Sequence, residues 1–199
     1  MNFIAIFSRS KNILFKPAEE WAAIEKENNN ASSAIFGYAL PYIIAVTVAS
    51  LTVAFIAGFG WYSLGYIVLS TISNIITPFA VIIFSSIIIN AIAPGFESTK
   101  NIGNAFKLVI YSYTAAFLTS IVAGLIPIPI FSTLIGIAGL YSAFTLWMGI
   151  SPMMKTPDHK KVSYTILSFV IMMGVYGVTF LTLNLITAAF YFTNSTFRF

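Results

Sequence analysis

Long apolar runs separated by short polar interruptions set the architecture of this chain. Five stretches contain no Asp, Glu, Lys, Arg or His: Ala34–Ala57, Tyr66–Ala93, Leu108–Ile126, Ile130–Ile150 and Val162–Phe192. A helix needs roughly 20 mostly apolar residues to cross about 30 Å of hydrocarbon, a length these runs reach. Strands of a membrane barrel would instead alternate over about ten residues, unlike these unbroken blocks. The pattern predicts an all-α integral membrane protein with five transmembrane helices. The second and last runs exceed the minimum and are expected to tilt, kink or project. Pro41 and Pro78 are candidate interruptions of the first two spans.

Residues 1–33 form a polar preamble to a membrane domain covering 34–199. At 100° per residue, Phe3, Ile6, Phe7, Ser10, Ile13 and Leu14 fall on one face, with Arg9, Asn12 and Lys16 opposite. Such a helix suits the plane of the interface, its bases towards anionic phosphates. Pro17 suits the first turn of a second short helix, and Glu19 and Glu20 sit favourably near its positive end. Trp21 and Ile24 share a face and are expected to anchor at head-group depth. The alternative is that both helices pack under the bundle. Residues 28–33, NNNASS, read as a loop with a capping residue. Met1–Phe7 has no basic residue before its apolar part, and Ser8, Arg9 and Lys11 then break the run, so no secretory signal is expected.

Composition agrees with lipid as the main solvent. Only 8% of residues are charged, against about a quarter in soluble domains. Threading five spans puts Arg9, Lys11, Lys16, Lys26, Lys100, Lys107, Lys155, Lys160 and Lys161 on one side, nine of the ten Lys and Arg residues; Arg198 remains on the other. All six acids join the nine. By the positive-inside rule that side is cytoplasmic, with the N-terminus inside and the C-terminus outside. There is no cysteine, which removes disulfides and thiolate metal sites.

The stretch SPMMKTPDHKKVSYT, residues 151–165, is a small basic turn between the last two spans. Its minimal role is topogenic: Lys155, Lys160 and Lys161 hold the loop inside and snorkel to head groups. With Arg9, Lys11, Lys16 and Trp21 it can also build one surface for anionic lipid or a protein partner. His159 beside Asp158 has no second His and no Cys, so a solvated side chain is expected rather than a metal site. The spans contain no charged group for buried chemistry, and no G-x-S-x-G, H-E-x-x-H or P-loop is present. The expectation is therefore no enzyme, no catalytic residue, no metal, no cofactor and no nucleic-acid partner.

Small residues recur at helical spacing inside the membrane. Ser112, Ala116, Ser120 and Gly124 lie four apart in the third span; Ser50, Ala54 and Gly58 in the first; Ser132 with Gly136, and Gly139 with Ala143, in the fourth. Such stripes let helix backbones approach closely, within one chain or between copies in a homo-oligomer. The third and fourth spans, joined only by GLIPIP, are expected to form an antiparallel hairpin.

The run AFKLVIYSYTAAFLTSIVAGLIPIPIFSTLIGIAGLYSAFTLWMGISPMMKTPDHKKVSYTILSF, residues 105–169, resembles the Yip (Ypt-interacting protein) family. Its pieces are FKLVIYS entering the third span, GLIP closing it, GLYSAFTLWMG in the fourth and SPMMKTPDHKKVSYT leading into the fifth. KPAEEWAAIEKE, residues 16–27, is similar to the corresponding stretch of short bacterial-type members. The resemblance implies five spans and a cytosolic N-terminus. It also implies a link to vesicle trafficking and Rab-type GTPases, known from members with a long cytosolic N-terminal region; only about thirty residues precede the first span here. The function expected is a non-enzymatic scaffold or adaptor that binds membrane lipids or a protein at its cytoplasmic face, possible roles being membrane organisation or trafficking. The alternative is a transporter, channel or lipid-translocating protein for a neutral or lipid substrate.

Overall fold

A computed structural model of the chain describes residues 3–27, 30–56, 64–126 and 129–195. Gly58, Arg198, the side chain of Ser132 and parts of the 58–65 and 127–129 connections lie outside that description. Among the described residues ten α-helices follow one another: α1 Phe3–Phe15, α2 Pro17–Lys26, α3 Ala31–Ala34, α4 Leu40–Ile56, α5 Leu64–Ile92, α6 Ile102–Ser112, α7 Thr114–Gly124, α8 Pro129–Ala138, α9 Tyr141–Met154 and α10 Asp158–Ser195. No strand occurs among the described residues. Five stretches are long and apolar enough to cross a membrane: Ala31–Ile56, Ile67–Phe96, Ile102–Gly124, Thr133–Met154 and Asp158–Phe190.

Local chemistry sets the helix ends. Pro17 opens α2, where its missing N–H costs nothing. The Asn30 side chain accepts from the Ser33 N–H at 2.9 Å, starting α3. Asn101 does the same for the Asn104 N–H at 3.0 Å, so α6 begins at Ile102, ahead of the uncharged run. The two prolines do not break their spans. Before Pro41, residues Ile35–Ala39 widen into a π-turn in which the Leu40 N–H reaches the Ile35 carbonyl. α5 runs straight through Pro78. The breaks fall elsewhere, at Tyr113 between α6 and α7 and at Gly139–Leu140 between α8 and α9.

The third span is the centre of the bundle. Over half of its most apolar window is buried (56%), against 11% for the last. α6 packs on α5 and α9; α7 packs on α4 and, as the hairpin partner, on α8; α10 packs on α5 and α9. α10 has 38 residues. At 1.5 Å each it is about 57 Å long, nearly twice the hydrocarbon thickness.

The small residues serve several contacts rather than one stripe. A Cβ on Gly139 would meet the Gly136 carbonyl at 2.9 Å, Thr119 Oγ1 at 3.0 Å and Ala116 Cα at 3.4 Å. One on Gly124 would meet Ser50 Oγ at 3.3 Å, against α4. Ser112 is fully buried, and its carbonyl accepts from Thr145 Oγ1 of α9 at 2.9 Å. Gly136 has open space where a Cβ would go. Gly139→Ala is therefore expected to destabilise by about 1–3 kcal/mol, the usual cost of overpacking. Gly136→Ala should leave thermal unfolding in detergent unchanged. Equal melting temperatures for the two variants would exclude a tight α7–α8 contact at Gly139.

Candidate functional site

The charged residues gather where α1, α2, the start of α6 and the 93–101 and 155–157 connections meet. At the centre lies Arg9 of α1. Its guanidinium donates to both Glu27 carboxylate oxygens, through Nη1 at 2.9 Å and through Nη2. Nη1 also donates to the Tyr111 hydroxyl at 3.0 Å, and Nε lies 3.3 Å from Glu20 Oε1. Asn12 Nδ2 donates to the other Glu20 oxygen at 2.8 Å. Lys107, only 5% exposed, donates from Nζ to the Glu27 carbonyl at 2.9 Å. Burial alone would lower the Arg9 pKa. Hydrogen bonds and charge at Glu27, with Tyr111, outweigh it and hold the guanidinium above its ordinary value.

Hydrophobic and hydroxyl contacts lock this layer to the spans. Trp21 is fully buried, packed against the bundle, its Nε1 donating to the Thr145 carbonyl of α9 at 3.0 Å. The indole lies over Gly149, where a Cβ would come within 2.5 Å of the ring, and meets Tyr111 edge-on at 6.3 Å. Ser10 Oγ bonds the hydroxyls of Tyr38, at 2.9 Å, and Tyr42. Tyr38 passes the chain to Thr114 Oγ1 at 2.8 Å. Thus α1 is tied to the first and third spans at once. Its inward face is Ser10 and Ile13 flanked by Arg9, while Phe3, Ile4, Phe7 and Phe15 are exposed.

The other bases divide into two groups. Lys155, in left-handed conformation at φ 55°, ion-pairs with Glu25 of α2. Lys161 stands over the Trp147 ring, 4.7 Å from its centroid. His159 faces Glu97 at 3.3 Å, both exposed. Lys16 lies 3.6 Å from Glu19 at a well-exposed position, where such pairs contribute little. Lys11, Lys26, Lys100 and the half-buried Lys160 make no ion pair among the described residues. Among the described residues no three of His, Cys, Asp and Glu come together as metal ligands.

Sequence reasoning placed none of Glu20, Glu27, Lys107 and Tyr111 in a site. A signal was present for the acids: Glu20, Ile24 and Glu27 stand at i, i+4 and i+7, so the face that buries Ile24 carries two carboxylates inward. Lys107 and Tyr111 are likewise one turn apart on α6.

Five helical spans and a charged layer closed by two short N-terminal helices define a polytopic α-helical membrane protein. A family model described as the Yip1 domain matches residues 11–195. The chain belongs to the Yip family. No curated protein and no solved structure matches it.

Proposed function

We propose that this protein is a non-enzymatic membrane scaffold or adaptor, working by binding rather than turnover, in a bacterial inner membrane. Its charged end faces the cytoplasm, with the N-terminus inside and the C-terminus outside. The observation that carries this reading is the division of charge there. Arg9 is engaged internally by Glu20 and Glu27. Around it Lys11, Lys26, Lys100 and Lys160 keep their charge for something outside the chain. Anionic head groups fit that chemistry, as does the acidic surface of a protein partner. The association of Yip-family proteins with membranes and Rab-type partners supports a protein ligand as well.

Near an anionic leaflet each such base contributes about 1 kcal/mol, decaying within a Debye length. Lys11→Gln with Lys160→Gln should therefore weaken retention of anionic lipid roughly 30-fold at low salt and much less at moderate salt. The readout is the anionic lipid that co-purifies with the protein at each salt concentration. Lys155→Gln should do less, because Glu25 already engages Lys155. Unaltered retention in the double variant would leave these lysines a purely topogenic role.

A further inference from the structure

Two half-open cavities in the bundle share a wall. The larger, about 530 Å³, lies among α4, α5, α7 and α10. The smaller, about 210 Å³, lies among α7, the α8–α9 span and α10. Tyr113, Ser120 and Tyr176 line both, so one polar seam joins them. The larger cavity also presents Asn74 and Thr77, and no Asp, Glu, Lys, Arg or His.

None of these five side chains has a hydrogen-bond partner among the described residues. Thr77 is 8% exposed. Beside it Pro78 has no N–H to offer the Asn74 carbonyl one turn back. At membrane depth an unpaired polar group is expensive, because hydrocarbon offers it nothing. Donors and acceptors converging on one space are the mark of a ligand site, and the volume falls within the usual range of roughly 300–1,000 Å³.

The walls also state what kind of ligand fits. A charged molecule would meet no counter-charge in a low-dielectric site. The same walls carry Ile43, Val46, Phe117 and Phe180, which suit hydrocarbon. We propose that this seam binds an uncharged glycerolipid of the diacylglycerol class. Asn74 and Thr77 engage its free hydroxyl, the Tyr113, Ser120 and Tyr176 hydroxyls donate to its ester carbonyls, and the acyl chains lie along Phe117 and Phe180. This site is separate from the lysines of the charged end, so either can fail without the other.

The experiment uses the full chain reconstituted in phosphatidylcholine vesicles containing a photoactivatable diacylglycerol, with crosslinks mapped by mass spectrometry. Crosslinks are expected within residues 73–78 and 113–120. Unlabelled diacylglycerol should compete; phosphatidic acid and free glycerol should not. The pair Asn74→Leu and Thr77→Val should cut labelling about ten-fold, the equivalent of roughly 1.4 kcal/mol. Ser120→Ala, a milder change, should act in the same direction if that pair does not fold. Lys11→Gln with Lys160→Gln should leave labelling intact. Crosslinks scattered over the lipid-facing helices would overturn the proposal, as would labelling indifferent to the cavity variants. Equal competition by phosphatidic acid or by glycerol would overturn it too.

Discussion

Trp21→Ala is expected to cost about 3–5 kcal/mol and to release α2 from the bundle. The indole is completely buried although α2 lies outside the spans. Its docking therefore keeps the hydrophobic contribution that helix pairs surrounded by lipid lack. Truncation would also strip the Thr145 carbonyl of its indole partner and open a cavity against Gly149 and Tyr111. The complementary change is Gly149→Ala. Its new methyl would stand 2.5 Å from the ring of a side chain with no room to move. Both variants should expose the 17–27 segment to proteolysis and lower the melting temperature in detergent. Trp21→Phe should fall between them and the native protein, because the ring is kept and the hydrogen bond lost. Native protease resistance in Trp21→Ala would mean that α2 is held by something other than this contact.

The second large effect is expected at Arg9. Replacing it with Met keeps much of the side-chain volume but takes the guanidinium away from both Glu20 and Glu27. Their side chains are 11% and 26% exposed, too little for water to compensate fully. Breaking a pair of this kind by removing one partner costs roughly 3 kcal/mol. Adding Glu27→Leu and Glu20→Gln to Arg9→Met removes the two carboxylates as well and should recover a good part of that loss, since a buried ion pair is not itself a large net stabiliser. Chemical denaturation of the single and triple variants decides the matter. If the triple variant is no better than Arg9→Met alone, the layer is held by shape rather than by charge balance.

The spans were legible because membrane helices are written in one dimension: an uncharged run of the right length needs no partner to be recognised. The α7–α8 hairpin was legible for the same reason, from the shortness of GLIPIP. The orientation of α1 was not. A helical wheel finds the apolar face, Phe3 to Leu14, and assigns Arg9 to the opposite side. The face actually buried is chosen by groups far away in sequence. Arg9 turns inward because Glu27 and Tyr111 are there, 18 and 102 positions on. Ser10 turns inward because Tyr38, Tyr42 and Thr114 form a hydroxyl chain to receive it. Phe3 and Phe7 are thereby left exposed. Trp21 shows the same limit: an aromatic residue in an amphipathic helix looks alike whether it meets head groups or a glycine on α9. Prolines were ambiguous too. Pro41 and Pro78 are accommodated within packed spans, by a π-turn in one case and by a continuous helix in the other.

Everything proposed for the charged end depends on which side of the membrane it occupies. The chain has no cysteine, so single cysteines can be introduced without background. The decisive measurement is their labelling by a membrane-impermeant thiol reagent in intact cells and in inside-out vesicles. Cysteines at Lys11 and Asp158 should react only in inside-out vesicles, and one placed after Phe199 only in intact cells. Labelling of the Asp158 and C-terminal positions from the same side would contradict the five-span topology, and labelling of Lys11 and Asp158 from outside would contradict a cytoplasmic docking face.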